Sequence, residues 1–583
     1  MSVIPNKHSL PKRFKQYLPF VLILTAVAAR LIPGPRIIDD AYITYRYARN
    51  ILSGHGFVYN PGEILQGTTT PLYTLILTFL ASISGGSSAP FPQIAWLFNT
   101  LCGALTVYLI WKIGRKLQTP FSGLFTALFW AVAPYSVTFA IGGLETSFFV
   151  LLLTLAVYLY LQDRTRWVFL ISALSLIARP DALLLAGLMF LDRIYSFYVK
   201  GTDGRLPSPR WKTFLSELSI FLLPLVLWFG FAWLYFGTPI PHSVTAKSQA
   251  YSLPSLAAFI RFLQHYGTPF MGHHLLGTFW IGVGLILYPW LFTLGLIHTI
   301  KINPRIRPWA AYPWIYLLSF AVANPLIFRW YLTPPLLPYA FFILAGLEHL
   351  LTREINSASK FILNRDKFRY ILLMILLLAP SGLSLHAWTL SPDHGPSRPA
   401  PEMAFIKLEL IYQQAADVVA NDLPRSSQAD QSNPPHLAAG DVGVLGYQSG
   451  LPILDLVGLN SAQTVTYYPL QESDYIINYA VPSGVIIDQK PEYVVILEVY
   501  GRKSLLPDER FQSSYQLIET IETQMYGSEG MLIYKRRSPT SLLPEVPNTL
   551  SSHPCQYEKD YSLSTPKPIS PGRTGEERSK NTR

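Results

Sequence analysis

The sequence predicts an α-helical polytopic membrane protein of about eleven transmembrane helices, followed by a small C-terminal α/β domain outside the cytoplasm. Two properties of the 583-residue chain lead to this prediction. Half of its residues are hydrophobic, and only 14% are charged, against about 25% in soluble globular proteins. Long apolar segments alternate with basic loops, as in proteins that cross a bilayer repeatedly. This composition excludes a purely soluble enzyme and a wholly disordered chain.

Eleven apolar segments are candidate membrane spans, and the positive-inside rule places the N-terminus in the cytoplasm and the C-terminal domain outside. Residues 70–84 are apolar but short. Counting them as a span would invert the pattern of basic loops downstream, so they predict an interfacial helix instead. Residues 167–178 and 182–199 predict two helices that turn at Arg179–Asp181. The predicted spans are residues 17–34, 93–112, 121–139, 145–161, 167–178, 182–199, 214–236, 277–300, 309–326, 330–350 and 370–390.

The composition changes near residue 391 and again near residue 537. Residues 1–390 form the predicted transmembrane domain, with a long first outer loop at 35–92, and residues 391–536 form the predicted outer α/β domain. Residues 537–583 are rich in Ser, Pro and Lys and predict a disordered tail. Within the outer domain, residues 401–420 predict a helix. Short β-branched runs predict strands at Gly443–Leu445, Pro452–Val457, Gly484–Ile487, Tyr493–Val499 and Met531–Tyr534.

The net charge of +11 does not indicate nucleic-acid binding. Many of the basic residues fall in loops between spans, and the sequence has no DNA- or RNA-binding motif. The two cysteines, Cys102 and Cys555, support neither a disulfide framework nor a cysteine metal site. The lipid bilayer is therefore a predicted partner, and nucleic acid is not.

Asp39 and Asp40 stand where the first apolar segment ends and a helical pattern begins. An aspartate at this position can cap the exposed N–H groups of a helix. Two adjacent carboxylates at a membrane surface are less ordinary, because both are costly to bury without partners. One of them can cap the helix while the other faces a cavity as a general base or as a ligand of a divalent cation such as Mg, Mn or Ca.

Further polar residues fall on the same outer side of the membrane. Each has an ordinary structural explanation: a helix N-terminal acid, a local ion pair at a proline turn, an interfacial histidine or a headgroup contact. Their common location instead favours a reaction between a donor held in the membrane and an acceptor outside it. A carboxylate would take a proton from an acceptor hydroxyl, and basic groups would stabilise a departing phosphate. These residues are Glu145, Arg179, Asp181, His242, Lys247 and Arg329.

Several motifs occur in an order that is typical of one superfamily. Residues 39–63 read DDAYITYRYARNILSGHGFVYNPGE and are followed by GTTTPLYTLIL. The chain thereby resembles the GT-C superfamily of integral-membrane glycosyltransferases, above all the actinobacterial cell-wall arabinofuranosyltransferases that add terminal β-1,2-linked arabinofuranose. The likeness continues through GGLET (142–146), ARPDA (178–182), GTPIPHSVTAK (237–247), RWYLTPPLLP (329–338) and GDVGVLGYQSGLPILDLVGL (440–459).

The resemblance implies an inverting glycosyltransferase of the plasma membrane. Its donor would be a polyprenyl-phosphate-linked sugar, with arabinofuranose as one candidate, and its acceptor an extracytoplasmic glycan or glycolipid of the cell envelope. The base would be Asp39 or Asp40. The shared outer location and the motif match together predict the substrate-binding residues Tyr45, Arg46, Glu145, Arg179, Asp181, His242, Lys247 and Arg329.

The sequence departs from the family pattern in two places, and it leaves two alternatives to a glycosyltransferase. Residues 65–70 read LQGTTT where relatives often show VEGYTN, which leaves the sugar open. The Trp-Trp-Asp-Tyr-Gly signature of oligosaccharyltransferases is absent, which disfavours peptide N-glycosylation. One alternative is a transporter or flippase of lipid-linked glycans. Such proteins place ionisable residues near the bilayer midplane, whereas the central parts of the predicted spans are nearly free of them. A third interpretation is a non-catalytic scaffold that presents the C-terminal domain.

Overall fold

The computed structural model describes residues 12–201, 209–357, 363–390, 398–423 and 435–537. The chain up to Arg537 forms one compact unit. The tail that the sequence predicts to be disordered lies outside the described residues, except for Arg537 itself.

The described residues up to His386 are mostly helical. The helices are α1 (Lys12–Leu31), α2 (Asp39–Leu52), α3 (Pro71–Ser82), α4 (Phe91–Lys116), α5 (Pro120–Val132), α6 (Pro134–Ile141), α7 (Thr146–Leu161), α8 (Thr165–Ala178), α9 (Ala182–Gly201), α10 (Pro209–Phe236), α11 (His242–Ala250), α12 (Ala257–Gly267), α13 (His273–Leu276), α14 (Phe279–Ile302), α15 (Arg307–Ala323), α16 (Thr333–Ser357) and α17 (Leu363–His386).

Fewer helices qualify as membrane spans than the eleven that the sequence predicts. Within the described ranges, four are long and apolar enough to cross a membrane, and the pair α5 and α6, bent by 44°, makes a fifth if it counts as one span. The other predicted segments do not meet these criteria within the described ranges; α8, for example, has only 14 residues. At 1.5 Å per residue, α8 covers about 21 Å of a hydrocarbon core that is about 30 Å thick. The four long spans are Phe91–Lys116, Lys212–Phe236, Phe279–Ile302 and Arg329–Thr352.

Two local predictions about this part of the chain agree with the helices. Helix α3 has 12 residues and is too short to span a bilayer, which fits the interfacial helix predicted at 70–84. Helices α8 and α9 are separated at Arg179–Asp181, as predicted for the hairpin. A proline disfavours helical backbone angles at the residue before it. Arg179, which precedes Pro180, is accordingly extended, with φ −158° and ψ 136°.

A five-stranded sheet forms the centre of the C-terminal region. Its strand order is β4-β3-β5-β7-β6, with β3 parallel to β4 and β5, and with β7 antiparallel to β5 and β6. A two-stranded antiparallel ladder of β1 and β2 precedes it. The strands are β1 (Trp388–Thr389), β2 (Ala400–Pro401), β3 (Leu437–Ala439), β4 (Ile453–Asp455), β5 (Tyr493–Leu497), β6 (Tyr515–Glu522) and β7 (Gly530–Arg536).

The helices of this region correct two predicted strands. Residues Gly443–Leu445 and Gly484–Ile487 were predicted as strands but lie in α19 and α20, because short apolar runs do not distinguish a strand from a buried helical turn. The other three predicted strands coincide with β4, β5 and β7. The helices are α18 (Lys407–Asp422), α19 (Gly443–Ser449), α20 (Ser483–Gln489), α21 (Glu498–Gly501) and α22 (Glu509–Ser514).

Helix α2 joins the helical part of the chain to the sheet region. Tyr45 and Ala48 are buried in the core formed with the other helices, whereas Tyr47 is buried in the core that contains the sheet. Residues two apart on a helix point in roughly opposite directions. The first outer loop is therefore held between the two cores, and its N-terminal aspartates lie where they meet.

Candidate active site

Asp39 is the first residue of α2, and its carboxylate binds another helix. Its Oδ2 accepts a hydrogen bond from the backbone N–H of Gly443 at 2.9 Å, and its Oδ1 accepts one from Val444 at 2.7 Å. These are the first two residues of α19, so Asp39 caps a helix of the C-terminal region. Burial and the nearby carboxylate of Asp441 raise the pKa of Asp39, against the effect of the two amides.

Asp40 differs from its neighbour because its carboxylate accepts no hydrogen bond from any described residue. The side chain is half-buried. Burial raises the pKa of Asp40, and the ammonium of Lys247 lowers it. A carboxylate with free lone pairs and a raised pKa has the properties of a general base.

Lys247 lies on α11 with its ammonium 5.3 Å from the centre of the Phe328 ring. It forms no salt bridge or hydrogen bond within the described ranges. Burial acts to lower the pKa of Lys247, but Tyr331, Asp40 and Glu145 outweigh it, so that the pKa is raised above its usual value. Lys247 is therefore a charged donor whose hydrogen-bonding capacity is not used by the described residues.

Arg179 is held by two carboxylates beside this pair. Its Nε and Nη2 donate to Asp181 at 3.0 and 2.9 Å, and its Nη1 donates to Glu145 at 3.3 Å. Tyr316 also donates to Asp181, at 2.9 Å. Glu145 stands at the start of α7 but makes no capping hydrogen bond, so it acts as an ion-pair partner here. Arg179 is only 3% exposed, and these carboxylates balance the positive charge of its guanidinium.

His242 and Arg329 are not joined to Asp40 or Lys247 by a hydrogen bond or an ion pair in the part of the chain that the structure describes. The backbone N–H of His242 donates to Gln66 at 2.8 Å, and its ring Nε2 has no partner among the described residues. Arg329 is exposed, with its guanidinium 5.5 Å from the centre of the Phe405 ring. Their predicted phosphate-binding roles stay predictions.

Tyr45 and Arg46 are engaged by the protein itself. Tyr45 is fully buried, and its hydroxyl donates to the backbone oxygen of Gly143 at 3.3 Å. Arg46 is 4% exposed, and it donates to backbone oxygens of Tyr59, Gly446 and Leu451 and to the side chain of Asn60. Their predicted substrate-binding roles stay predictions. This geometry does not favour those roles, because the protein itself already binds the polar groups of both side chains.

Two carboxylates near Asp40 were not identified from the sequence. Asp441 follows β3 and accepts hydrogen bonds from the hydroxyls of Tyr412 and Tyr500. Burial raises the pKa of Asp441 to about 6, with a contribution from Asp40. Burial likewise raises the pKa of Glu409 on α18 to about 7. Ligands of open sheets often bind at the carboxyl ends of parallel strands, and Asp441 within the GDVG motif carried that signal.

The residues at the aspartate pair do not fit a divalent cation. Both carboxylate oxygens of Asp39 accept hydrogen bonds from backbone amides. The positive charge of Lys247 lowers the pKa of Asp40. Among the described residues, no group of three or more His, Cys, Asp or Glu side chains is arranged to hold a metal ion. The predicted metal role of Asp39 and Asp40 is not supported by this donor set.

Comparisons with known proteins bear on the fold. No curated protein matches the sequence. A family described as "Domain of unknown function (DUF8728)" matches residues 409–538, which cover the sheet region. Among solved structures, the apo oligosaccharyltransferase of Archaeoglobus fulgidus has a TM-score of 0.54 at 12% identity, covering 89% of this chain and 75% of that chain.

Two further solved structures contain lipid phosphates. The Archaeoglobus fulgidus oligosaccharyltransferase AglB in complex with an inhibitory peptide and a dolichol-phosphate has a TM-score of 0.53 at 12% identity, covering 91% of this chain and 75% of that chain. ArnT from Cupriavidus metallidurans bound to undecaprenyl phosphate has a TM-score of 0.51 at 13% identity, covering 92% of this chain and 100% of that chain. The protein therefore shares the fold of these three solved structures.

Proposed function

We propose that the protein is a membrane glycosyltransferase that moves a sugar from a polyprenyl-phosphate donor to an extracytoplasmic glycan or glycolipid of the cell envelope. The observation that carries the proposal is the pair Asp40 and Lys247. One is a carboxylate with no hydrogen bond from a described residue, and the other is an ammonium with no salt bridge among those residues, yet each shifts the pKa of the other. A base and a phosphate-binding cation are the two groups that such a transfer needs.

The chemistry is a single displacement with inversion at the anomeric carbon. Asp40 takes the proton of an acceptor hydroxyl, whose oxygen forms a bond to the anomeric carbon. The bond between that carbon and the phosphate oxygen breaks, and polyprenyl phosphate leaves. The ammonium of Lys247 stabilises the negative charge on the departing phosphate. No step requires a metal ion.

Asp39 and Arg179 act in this scheme as positioning residues. Asp39 fixes the start of α2 against α19, so that Asp40 is held at the junction. Arg179 pairs with Glu145 and Asp181, and Glu145 raises the pKa of Lys247 and so favours its charged form. The fold likeness supports a lipid-linked donor, because two proteins of similar fold bind undecaprenyl phosphate and dolichol-phosphate. Arabinofuranose remains a candidate sugar from the motif resemblance.

The proposal places the protein in the plasma membrane, with its N-terminus in the cytoplasm and its C-terminal region outside, as the distribution of basic residues favours. A cysteine introduced by Ser473→Cys, in a background with Cys555→Ser, tests this topology, because residue 473 is exposed and Cys102 is buried. An impermeant thiol reagent is expected to label intact cells. Labelling only after lysis would contradict the proposed orientation.

Transfer by the full chain in proteoliposomes tests the function itself. The substrates are a panel of polyprenyl-phospho-pentoses and -hexoses, with a cell-envelope glycan extract as the acceptor. Asp40→Asn is expected to reduce transfer by about 10²–10⁴-fold, the usual contribution of a general base. The matched control Asp488→Asn, at an exposed position, is expected to leave the rate unchanged.

The same experiment separates the alternatives. Release of polyprenyl phosphate that depends on Asp40 supports the enzyme over a scaffold. Movement of intact lipid-linked sugar across the proteoliposome membrane without transfer would support the transporter. Full activity of Asp40→Asn would show that the assignment of the base is wrong.

A further inference from the structure

Three buried polar atoms beside the candidate site have no hydrogen-bond partner among the described residues. They are Oε1 of Gln66, Nε2 of His242 and Oγ of Ser243. Gln66 is 1% exposed and Ser243 is 3% exposed. Buried polar atoms are nearly always hydrogen-bonded, because an unsatisfied one costs stability. Three of them on two adjoining segments therefore need an explanation.

The two segments are held firmly. The hydroxyl of Tyr47 accepts a hydrogen bond from Gly67 at 2.9 Å and donates to the backbone oxygen of Leu65 at 3.0 Å, so the backbone is fixed on both sides of Gln66. The backbone N–H of His242 then joins α11 to Gln66 at 2.8 Å. The unsatisfied atoms are thus part of an ordered structure rather than of a loose loop, which is how binding groups are pre-organised.

The chemistry of these atoms indicates the kind of ligand. The amide oxygen of Gln66 only accepts hydrogen bonds, so its partner must donate one. An ionised phosphate has no hydrogen to donate, whereas a sugar hydroxyl both donates and accepts. The three groups are neutral when the histidine ring is unprotonated, a form that burial favours because it lowers the pKa of His242. A charged sugar would be desolvated there without a counter-charge.

The position of Ser243 relates these atoms to the proposed phosphate site. Ser243 and Lys247 are four residues apart on α11, so they lie on one face of the helix, separated by one turn. Lys247 is the residue whose ammonium lowers the pKa of Asp40. A sugar bound at Ser243 would therefore be adjacent to a phosphate bound at Lys247, as the two groups are in a polyprenyl-phospho-sugar.

We propose that Gln66, His242 and Ser243 form a subsite that binds hydroxyl groups of an uncharged pentose or hexose on the donor lipid. The proposal rests on the proposed function and assigns His242 to the sugar rather than to the phosphate. It also assigns a role to Gln66, which lies in the segment 65–70 where the sequence departs from the motif of the family it resembles.

Binding measurements on the full chain in nanodiscs test the subsite. The ligands are polyprenyl phosphate alone and a panel of polyprenyl-phospho-sugars that includes neutral, uronic and amino sugars. The neutral sugar that wild-type protein binds most tightly serves as the probe. Gln66→Leu and Ser243→Ala are each expected to weaken binding of the probe about tenfold and to leave binding of polyprenyl phosphate unchanged.

Three further variants complete the design. Lys247→Gln is expected to weaken binding of both lipids, because it removes the phosphate contact. Ser248→Ala is the matched control, since Ser248 is an exposed serine of the same helix. Ser243→Thr keeps the hydroxyl and is expected to bind the probe more tightly than Ser243→Ala does. Thermal unfolding of each variant identifies any loss of folded protein.

The possible results are distinct. Equal weakening of both lipids by Gln66→Leu and Ser243→Ala would overturn the subsite and assign these atoms to the phosphate. No effect on either lipid would also overturn it, as expected if ordered water satisfies the three atoms. Wild-type protein that binds polyprenyl phosphate but prefers no neutral sugar lipid would refute the subsite alone. Binding of neither lipid would refute the proposed function as well.

Discussion

The Oδ1 atom of Asp39 accepts a hydrogen bond from the backbone N–H of Val444 at 2.7 Å, across 405 residues of sequence. The neighbouring Asp40 accepts none from a described residue. Two chemically identical and adjacent side chains are therefore in different environments. One carboxylate holds the C-terminal region against the first outer loop, and the other is available for chemistry.

Replacement of Asp39 by alanine is expected to destabilise the protein, and replacement of Asp40 is not. Loss of a capping side chain costs about 0.5–2 kcal/mol, and Asp39→Ala leaves two amides of α19 without their acceptor. The free energy of unfolding in detergent, from denaturant titration, measures the loss. Asp40→Ala is the matched variant, and its unfolding free energy is expected to be unchanged or higher. An equal loss in both variants would contradict the different roles.

The sequence identified the pair of aspartates but not their separate roles. A pattern of residues shows that Asp39 and Asp40 begin a helix, and a local cap of that helix was the natural structural interpretation. The amides that Asp39 binds belong to residues Gly443 and Val444, which are near it only after folding. Arg46 was missed as a structural residue for the same reason, since two of its acceptors lie in the C-terminal region.

Local signals predicted the fold well where a single residue determines the structure. The break at Arg179–Asp181 follows from the steric effect of Pro180, and the short α3 follows from its length. The strands at Gly443–Leu445 and Gly484–Ile487 were wrong, because β-branched residues also occur in buried helical turns. The prediction of eleven spans is confirmed only in part, since four helices of the described ranges, or five with the bent pair, are long and apolar enough to cross a membrane.

Replacement of Lys247 by glutamine is expected to move the acid limb of the pH–rate profile to higher pH. Asp40 acts as a base only when deprotonated, so the rate rises with pH through the pKa of Asp40. Lys247 lowers the pKa of Asp40, and its removal therefore raises it. The profile of kcat/KM between pH 4 and pH 8 measures the shift, and KM for the donor is expected to rise as well. Lys503→Gln, at an exposed position, serves as the control. An unmoved acid limb would contradict the pairing of Lys247 with Asp40.

Breaking the buried pair of Arg179 and Asp181 is expected to be far more costly than breaking an exposed one. Asp181→Ala leaves the Arg179 guanidinium, whose side chain is 4% exposed, with one partner fewer. Removal of the only partner of a buried charge costs about 3–5 kcal/mol, and Asp181→Ala is expected to cost no more than the lower of these values because Glu145 still pairs with Arg179. The exposed pair of Arg305 and Asp163 provides the comparison, and Asp163→Asn, which tolerates the left-handed φ of 63° at this position, is expected to cost about 1 kcal/mol or less. Unfolding midpoints in denaturant compare the two. Similar costs would show that the Arg179 cluster is not a stability element.

Chelation of divalent cations is expected to leave transfer unchanged. Both carboxylate oxygens of Asp39 are hydrogen-bonded to amides, and no group of three or more His, Cys, Asp or Glu side chains among the described residues is arranged to hold a metal ion. Initial rates in proteoliposomes with and without EDTA are the measurement. A loss of activity that Mg²⁺ or Mn²⁺ restores would contradict this prediction and return Asp40 to the role of a metal ligand.

Glu409 is expected to make the protein less stable as the pH rises from about 4.5 to about 7. Burial raises the pKa of Glu409 from its ordinary value of 4.5 to about 7. Between these values the folded protein holds a proton that the unfolded chain releases, so unfolding is increasingly favoured as pH rises. The contribution amounts to at most about 3–4 kcal/mol, since one pKa unit corresponds to about 1.4 kcal/mol. Asp39, Asp40 and Asp441 lie near Glu409 and contribute with the same sign, because their pKa values are also raised.

The variant Glu409→Gln isolates this contribution. It keeps a similar shape but has no titratable group, so the fall in unfolding free energy between pH 5 and pH 7.5 is expected to be smaller than in the wild type. At pH 7.5 the variant is expected to be the more stable of the two, because it avoids burial of a charged carboxylate. Glu519→Gln, on an exposed position of β6, is the matched control and is expected to leave the pH dependence unchanged. A wild-type slope in Glu409→Gln would show that the proton released on unfolding comes from elsewhere, and the aspartates around Asp40 would be the next groups to replace.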